Sequence, residues 1–307
     1  MTSEAQSQYR SIPTLAQVVA AADSLWAFRL QEAWDASGLV TGRPDQPVKR
    51  IHFAVDPVAA VVDEAITAEA DLLITHHPLL IRGVTSVAAD GFKGKVIHDL
   101  IENHCALLAC HTNADSARRG VSDALIAAGG VNADDAAPLV PDATDPSVGL
   151  GRVGTLAESV TLAELAERLA ANIPGTAQGL RIAGDPDRKV NTIAVCGGSG
   201  DSLFEQVRDA GADVYITADL RHHPASEARE HALGSGATGT PALIDAAHSA
   251  SEALWLPWGA EDLERALAAQ GFEVEIHVSG LRTDPWDFRV ASPESDSASH
   301  HTSGETS

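Results

Sequence analysis

Two adjacent histidines follow an apolar run in ITHHPLL, residues 74–80, and Pro78 ends the run just behind them. Inside a regular strand His76 and His77 would point to opposite faces. At the C-terminal end of a strand the chain turns, and both can reach the crevice where open α/β sheets hold their ligands. Adjacent imidazoles in that position suit two neighbouring metal ions, one each. CHTNAD, residues 110–115, again follows an apolar run. There His111 and Asp115 share a face only if the segment turns helically, and Asn113 or Asp115 alone would equally suit a turn or a helix N-cap. In IDAAHSASE, residues 244–252, His248 and Glu252 stand at i and i+4 and project together on a helix. Each segment alone reads as an ordinary surface hydrogen bond or cap. Together they bring three or four imidazoles and two carboxylates to one sheet edge, which exceeds one closed tetrahedral site and suits two ions with open positions. Nitrogen and oxygen donors without thiolate favour zinc, iron, manganese or cobalt over copper(I) or calcium.

Other segments rank lower. CGGSGDSL, residues 196–203, is a Gly-rich strand-to-helix turn whose backbone N–H groups could cradle an anion. It is not G-x-G-x-x-G and lacks the P-loop Lys-Ser/Thr, so a dinucleotide or NTPase reading is set aside. ADLRHHPASEA, residues 218–228, repeats the strand-then-histidine pattern at His222 and His223, one of which could line the pocket, and His111 or His223 could act as general acid or base. A solvated helix start explains that segment nearly as well. His52, His98, His104, His231 and His277 lie inside periodic patterns, where packing or exposure is the simpler account.

The elements that must position these groups alternate. Apolar β-branched runs at 51–55, 71–75, 105–110, 191–196, 213–217, 241–245 and 273–278 read as strands, and 58–68, 93–103, 121–128, 202–210 and 261–270 as helices. Such alternation predicts an α/β fold with largely parallel sheets. The Asp-, Pro- and Ala-rich stretch 134–148 reads as a connection between two lobes, with a small βαβ-like piece over 151–183. The expected division is one domain over 12–290: lobe one at about 12–133 plus 241–290, lobe two at about 150–240. The remaining 291–307, with almost no apolar residues, reads as a disordered tail.

The 307 residues are 44% hydrophobic and 21% charged, a globular balance. Acidic residues outnumber basic ones 43 to 21, for a formal charge of −22, a field that repels nucleic acid and anionic membranes. Three cysteines without a C-x-x-C pair read as buried thiols in a reducing compartment. With no signal-like N-terminus and no long apolar run, the expected location is the cytoplasm.

WDASGLVTGRP (34–44), ITHHPLL, HTNAD, CGGSGDSL, DVYITADLRHH (213–223), DAAHSASE (245–252) and TDPWD (283–287) occur in an order that resembles the interacting-factor-three-like family, known as GTP cyclohydrolase 1 type 2 homologues. The resemblance covers nearly the whole chain, from about residue 12 to 288. It implies two interlinked α/β lobes, a toroidal homohexamer, and a centre of two divalent metal ions (zinc, iron or manganese) facing the cavity. The family's ligands fall on His76, His77, Asp115, His248 and Glu252, with Glu252 bridging, and its further histidine falls on His111, beside the metals. Residues 145–191 are too few for the middle domain that some members insert, and Ala218 stands where glycine is usual. A paired metal site activates water and stabilises developing charge. The expected function is therefore a metal-dependent hydrolase of a small metabolite, nucleotide-like or bearing phosphate or amide groups, similar in that to the family's GTP cyclohydrolase 1 type 2 label. A metal-binding assembly or carrier protein is the competing expectation.

Overall fold

A computed structural model describes residues 11–234 and 241–290; the tail read at 291–307 lies outside the described residues. The chain first forms α1 (Leu15–Leu25), β1 (Gly38–Thr41), β2 (Arg50–Ala54), α2 (Ala59–Thr67), β3 (Leu72–Thr75), α3 (Phe92–Glu102), β4 (Ala106–Ala109), α4 (Thr112–Ser116) and α5 (Val121–Ala128). It continues through β5 (Ala137–Pro141), β6 (Gly149–Thr161), α6 (Leu162–Asn172), β7 (Arg181–Ala183), β8 (Lys189–Ser199), α7 (Phe204–Asp209), β9 (Val214–Ala218), α8 (His222–Gly234) and β10 (Ala242–Ala246). It then closes with α9 (His248–Ala253), α10 (Trp255–Ala269) and β11 (Glu275–Val278).

The strands form two sheets, ordered β1-β4-β3-β2-β11 and β5-β6-β8-β9-β10-β7. In the first, β4, β3, β2 and β11 are parallel and only β1 is antiparallel. In the second, β8, β9 and β10 form a parallel centre, with antiparallel strands added at both margins. This is the expected α/β architecture of mostly parallel strands. Alternation along each strand feeds two cores. Leu72 and Ile74 of β3 pack beneath α1 and α10, whereas Leu73 faces α2 and α3. Ile193, Val214 and Ile244 meet α5 and α6, whereas Tyr215 and Leu243 meet α7 and α8.

α6 shows how sequence makes one of these layers. Thr161 and Glu164 form a capping box that satisfies the first-turn N–H groups. Leu162, Leu165 and Leu169 then share one buried face, each worth ~1.5–3 kcal/mol of burial. Leu165→Ala would remove the middle of that face.

Three placements differ from the sequence reading. The 134–148 connection contains a strand, β5, which pairs with β6. The 151–183 piece is not a compact βαβ unit: β8 lies beside β6, and β7 crosses to the far edge to pair with β10. β10 belongs to the second sheet beside β9, so the chain re-enters the first lobe only after it, not from residue 241. Local apolar pattern marks a strand but not its neighbour, because register and partner are set by contacts distant in sequence. Among the described residues no helix is long and apolar enough to cross a membrane.

Candidate metal centre

Parallel strands deliver polar residues at their C-terminal ends to a common crevice. β3 ends at Thr75, after which His76 and His77 donate their backbone N–H groups to Ala54 and Val55 carbonyls. The turn places both imidazoles on the same side, with ring centroids 5.1 Å apart. β4 leads directly into α4, and Asp115 N–H donates to the His111 carbonyl at 3.1 Å, the helical turn that aligns the two side chains. α9 presents His248 and Glu252 one turn apart, with His248 Nε2 2.8 Å from Glu252 Oε1.

The structure therefore gathers six of the seven residues singled out by sequence. Glu252, 2% exposed, is the hub: its Oε1 is 3.4 Å from His76 Nε2 and its Oε2 3.0 Å from His77 Nε2. Asp115 Oδ1 stands 3.8 Å from His76 Nε2. Two sets of donor atoms, His76–His77–His111 and His77–His248–Glu252, each lie within 4.8 Å of one another. His223 is not among them. It is exposed at the start of α8, and its ring contacts His222.

Each imidazole is held from behind. Nδ1 of His77 donates to Asp56 at 2.6 Å, that of His111 to Asp35 at 2.7 Å and that of His248 to Asp219 at 2.7 Å. His76 Nδ1 donates to the Cys110 carbonyl at 2.9 Å. These partners accept only, so every Nδ1 carries a proton and Nε2 is the atom left to face the centre. The supports are themselves supported: Asp35 accepts from the Thr112 hydroxyl and backbone, and Asp56 from Thr283. Asp219 sits in the left-handed region, with φ of 54°, and swings its carboxylate onto His248. None of Asp35, Asp56, Asp219 and Thr283 was singled out as a site residue by sequence. Asp56 and Asp219 carry the signal that exposed the histidines, a polar residue just past an apolar strand.

Three buried atoms in this cluster make no aligned hydrogen bond: His76 Nε2, Asp115 Oδ1 and Glu252 Oε2, the last meeting His77 Nε2 only as an ion pair at 3.0 Å. Unpartnered buried lone pairs cost ~1–3 kcal/mol each, so their convergence calls for a cation. The charge pattern agrees. Burial lowers the His77 and His248 values, but the Glu252 charge and the Asp56 and Asp219 hydrogen bonds override it, raising them to about 10 and about 11. Burial raises Glu252, yet the charges of His77, His248 and His76 hold it well below the usual range. Asp115 is raised to about 7 by burial and by the Glu252 charge. Protons thus stand in for the positive charge that this carboxylate-rich pocket requires.

CGGSGDSL serves the centre differently from the anion cradle suggested by its glycines. Gly198 N–H donates to Ser251 Oγ, and the Gly198 carbonyl accepts from Thr217, so neither backbone group of Gly198 is free for an anion. Gly198 has φ of +64°, and a Cβ there would lie 2.5 Å from Glu252 Oε1. Only glycine lets β8 approach the hub so closely. The cysteines meet their expected role: all three are buried free thiols, and burial pushes Cys105 up to about 12.

The Duf34/NIF3 (NGG1p interacting factor 3) family model matches residues 13–285. A Streptomyces coelicolor protein named GTP cyclohydrolase 1 type 2 homolog is 53% identical over 94% of this chain and 98% of its own. A Mycobacterium bovis protein of the same name is 33% identical over 89% and 97%. Among solved structures, a Bacillus cereus protein related to NIF3 superposes with a TM-score of 0.80 at 25% identity, covering 91% of this chain and 100% of that one. A Staphylococcus aureus hypothetical protein gives 0.79 at 28%, covering 90% and 99%. The chain belongs to the Duf34/NIF3 family.

Proposed function

We propose that the protein is a hydrolase dependent on two divalent metal ions, acting on a small metabolite that is nucleotide-like or carries phosphate or amide groups. The carrying observation is the convergence of the unpartnered His76 Nε2, Asp115 Oδ1 and Glu252 Oε2 in one buried cluster whose imidazoles are fixed from behind. His77 and His248 would hold one ion and His76 and Asp115 the other, with Glu252 shared between them and His111 facing the pair. When bound, such ions act as Lewis acids and make water nucleophilic near neutral pH. Asp35 fixes the His111 tautomer, so Nε2 of His111 is free either to bind the cation or to carry a proton to a leaving group. Trp34, 60% exposed and edge-on to His111 at 5.8 Å between centroids, offers a planar substrate an apolar wall at the mouth. The reading includes self-assembly into a homohexamer, measurable by light scattering.

The test is metal analysis joined to turnover. Protein reconstituted with zinc, iron or manganese should hold two ions at the Glu252 centre and hydrolyse a member of a panel of nucleotides, phosphate esters and cyclic amides. Glu252→Gln should lose both properties. Full metal loading with no turnover across the panel would overturn the hydrolase reading in favour of a metal-carrying or assembly protein.

A further inference from the structure

A second donor set lies apart from that centre, at His52, Glu64 and His277. Strand register places it. β2 and β11 run parallel with His52 level with His277, so the two side chains leave the sheet on the same face. Ile51 and Phe53, flanking His52, enter the core beneath α1 and α10. His52 is thereby sent to the opposite face, where α2 carries Glu64. The two imidazole centroids are 4.9 Å apart with planes inclined by 31°. Glu64 Oε2 lies 2.9 Å from His52 Nε2 and accepts from Ser279 Oγ at 2.5 Å. One donor atom from each of the three residues lies within 4.8 Å of the other two.

Ordinary packing does not account for this group. His52 is 1% exposed and its Nδ1 has no hydrogen-bond partner, which is an expensive way to fill a core position. His277 is exposed, so the cluster has a buried base and a mouth open to solvent.

We propose that His52, Glu64 and His277 form a separate site for a single divalent cation of the zinc class. Two imidazoles and one carboxylate with an open fourth position are a recurrent zinc donor set. An ion there would pin the edge strand β11 onto β2 and α2. That strand leads into the segment whose Thr283 holds Asp56 behind His77. The site would stabilise the returning end of the chain and, through it, the support of the main centre.

The experiment compares the full chain with His277→Ala, and Glu252→Gln with the double variant Glu252→Gln/His277→Ala, after stripping and equilibration with Zn²⁺. The tail histidines His300 and His301 are common to all and cancel in the difference. His277→Ala should hold one equivalent less than the parent in either background, and added Zn²⁺ should raise the unfolding temperature of Glu252→Gln but not of the double variant. Glu64→Gln should reproduce the loss, guarding against a local effect of the alanine. Equal zinc content and equal thermal shifts with and without His277 would overturn the site and leave His52–Glu64–Ser279 as a hydrogen-bonded strut. Because each comparison is made within one background, this outcome is read independently of whether Glu252 binds metal.

Discussion

Two buried charged clusters stand close together in this molecule and are built on opposite terms. Arg152, 2% exposed on β6, donates through Nε and Nη2 to Asp123 at 2.5 and 3.0 Å. It also donates to the carbonyls of Gly149, Gly151 and Ala117. All five guanidinium N–H groups therefore have acceptors. Ala117 directly follows α4, so this pair clamps the helix that carries Asp115. Around Glu252 the supports are equally careful on the outside, yet the inward atoms of His76, Asp115 and Glu252 are left without partners. A satisfied cluster is a joint. A cluster satisfied only from behind is a socket, and the difference separates structure from function without reference to any relative.

The largest effects should come from removing one member of each. Glu252→Gln should abolish loading of the two-ion centre, since a neutral amide cannot balance charge between two cations. His223→Ala should leave metal content unchanged, because its exposed ring lies outside the cluster. Elemental analysis of the two purified variants decides it, and similar losses in both would erase the distinction drawn between them. Asp123→Asn should instead cost about 3–5 kcal/mol of folding stability, because the Arg152 charge would be buried without compensation. Chemical denaturation measures that cost, and the fraction that folds should keep its full metal complement. If Asp123→Asn left stability intact but stripped the metal, the joint would have to be reassigned to the socket.

The socket was more legible in sequence than the joint. His76, His77, His111, Asp115, His248 and Glu252 each follow an apolar strand, either directly or on the helix that begins there, and parallel sheets send such ends to one place. Asp123 and Arg152 carry no such mark. One sits on a helix and the other within a strand, and their meeting depends on how α5 packs on the second sheet. The same limit explains β10, whose apolar run was plain but whose partner was not, and β7, three residues that find the far edge of the second sheet. Sequence assigns His52 and His277 only to packing or exposure, because periodicity reports the face of a residue and not what waits opposite it. The level pairing of β2 with β11 brings them together.

A smaller contrast should appear with pH. In the metal-free protein His77 and His248 are raised to about 10 and about 11 by the carboxylates around them, against an unfolded value near 6.5. Groups raised in this way contribute stability that is fully present below about pH 6.5 and is lost as pH climbs through their folded values. Metal-free protein should therefore weaken from neutral to strongly alkaline conditions. Loaded protein should not show that slope over the range, because the cations replace the protons. Loading at neutral pH should accordingly release protons, detectable as a dependence of the binding heat on buffer ionisation enthalpy. Parallel stability curves for the two forms would mean that the imidazoles are not charged in the empty pocket.

The finest separation lies between holding a cation and holding the group that holds it. Asp219→Asn leaves every inward donor in place and alters only what His248 Nδ1 meets. The amide can still accept through its oxygen, but it no longer fixes the ring with a full charge, and its NH₂ group can turn toward Nδ1 and favour the wrong tautomer. Metal affinity should fall ~10–100-fold while stoichiometry at saturation is preserved. Thr283→Val should do less, since it acts on His77 only through Asp56, which retains its direct bond to the imidazole. Competition titrations against a chromophoric chelator resolve both. A joint tolerates no such gradation, because its buried charge is either compensated or not. If Asp219→Asn lowered the number of ions bound rather than the strength of binding, the carboxylate would be ligating directly, and His248 would need a different support.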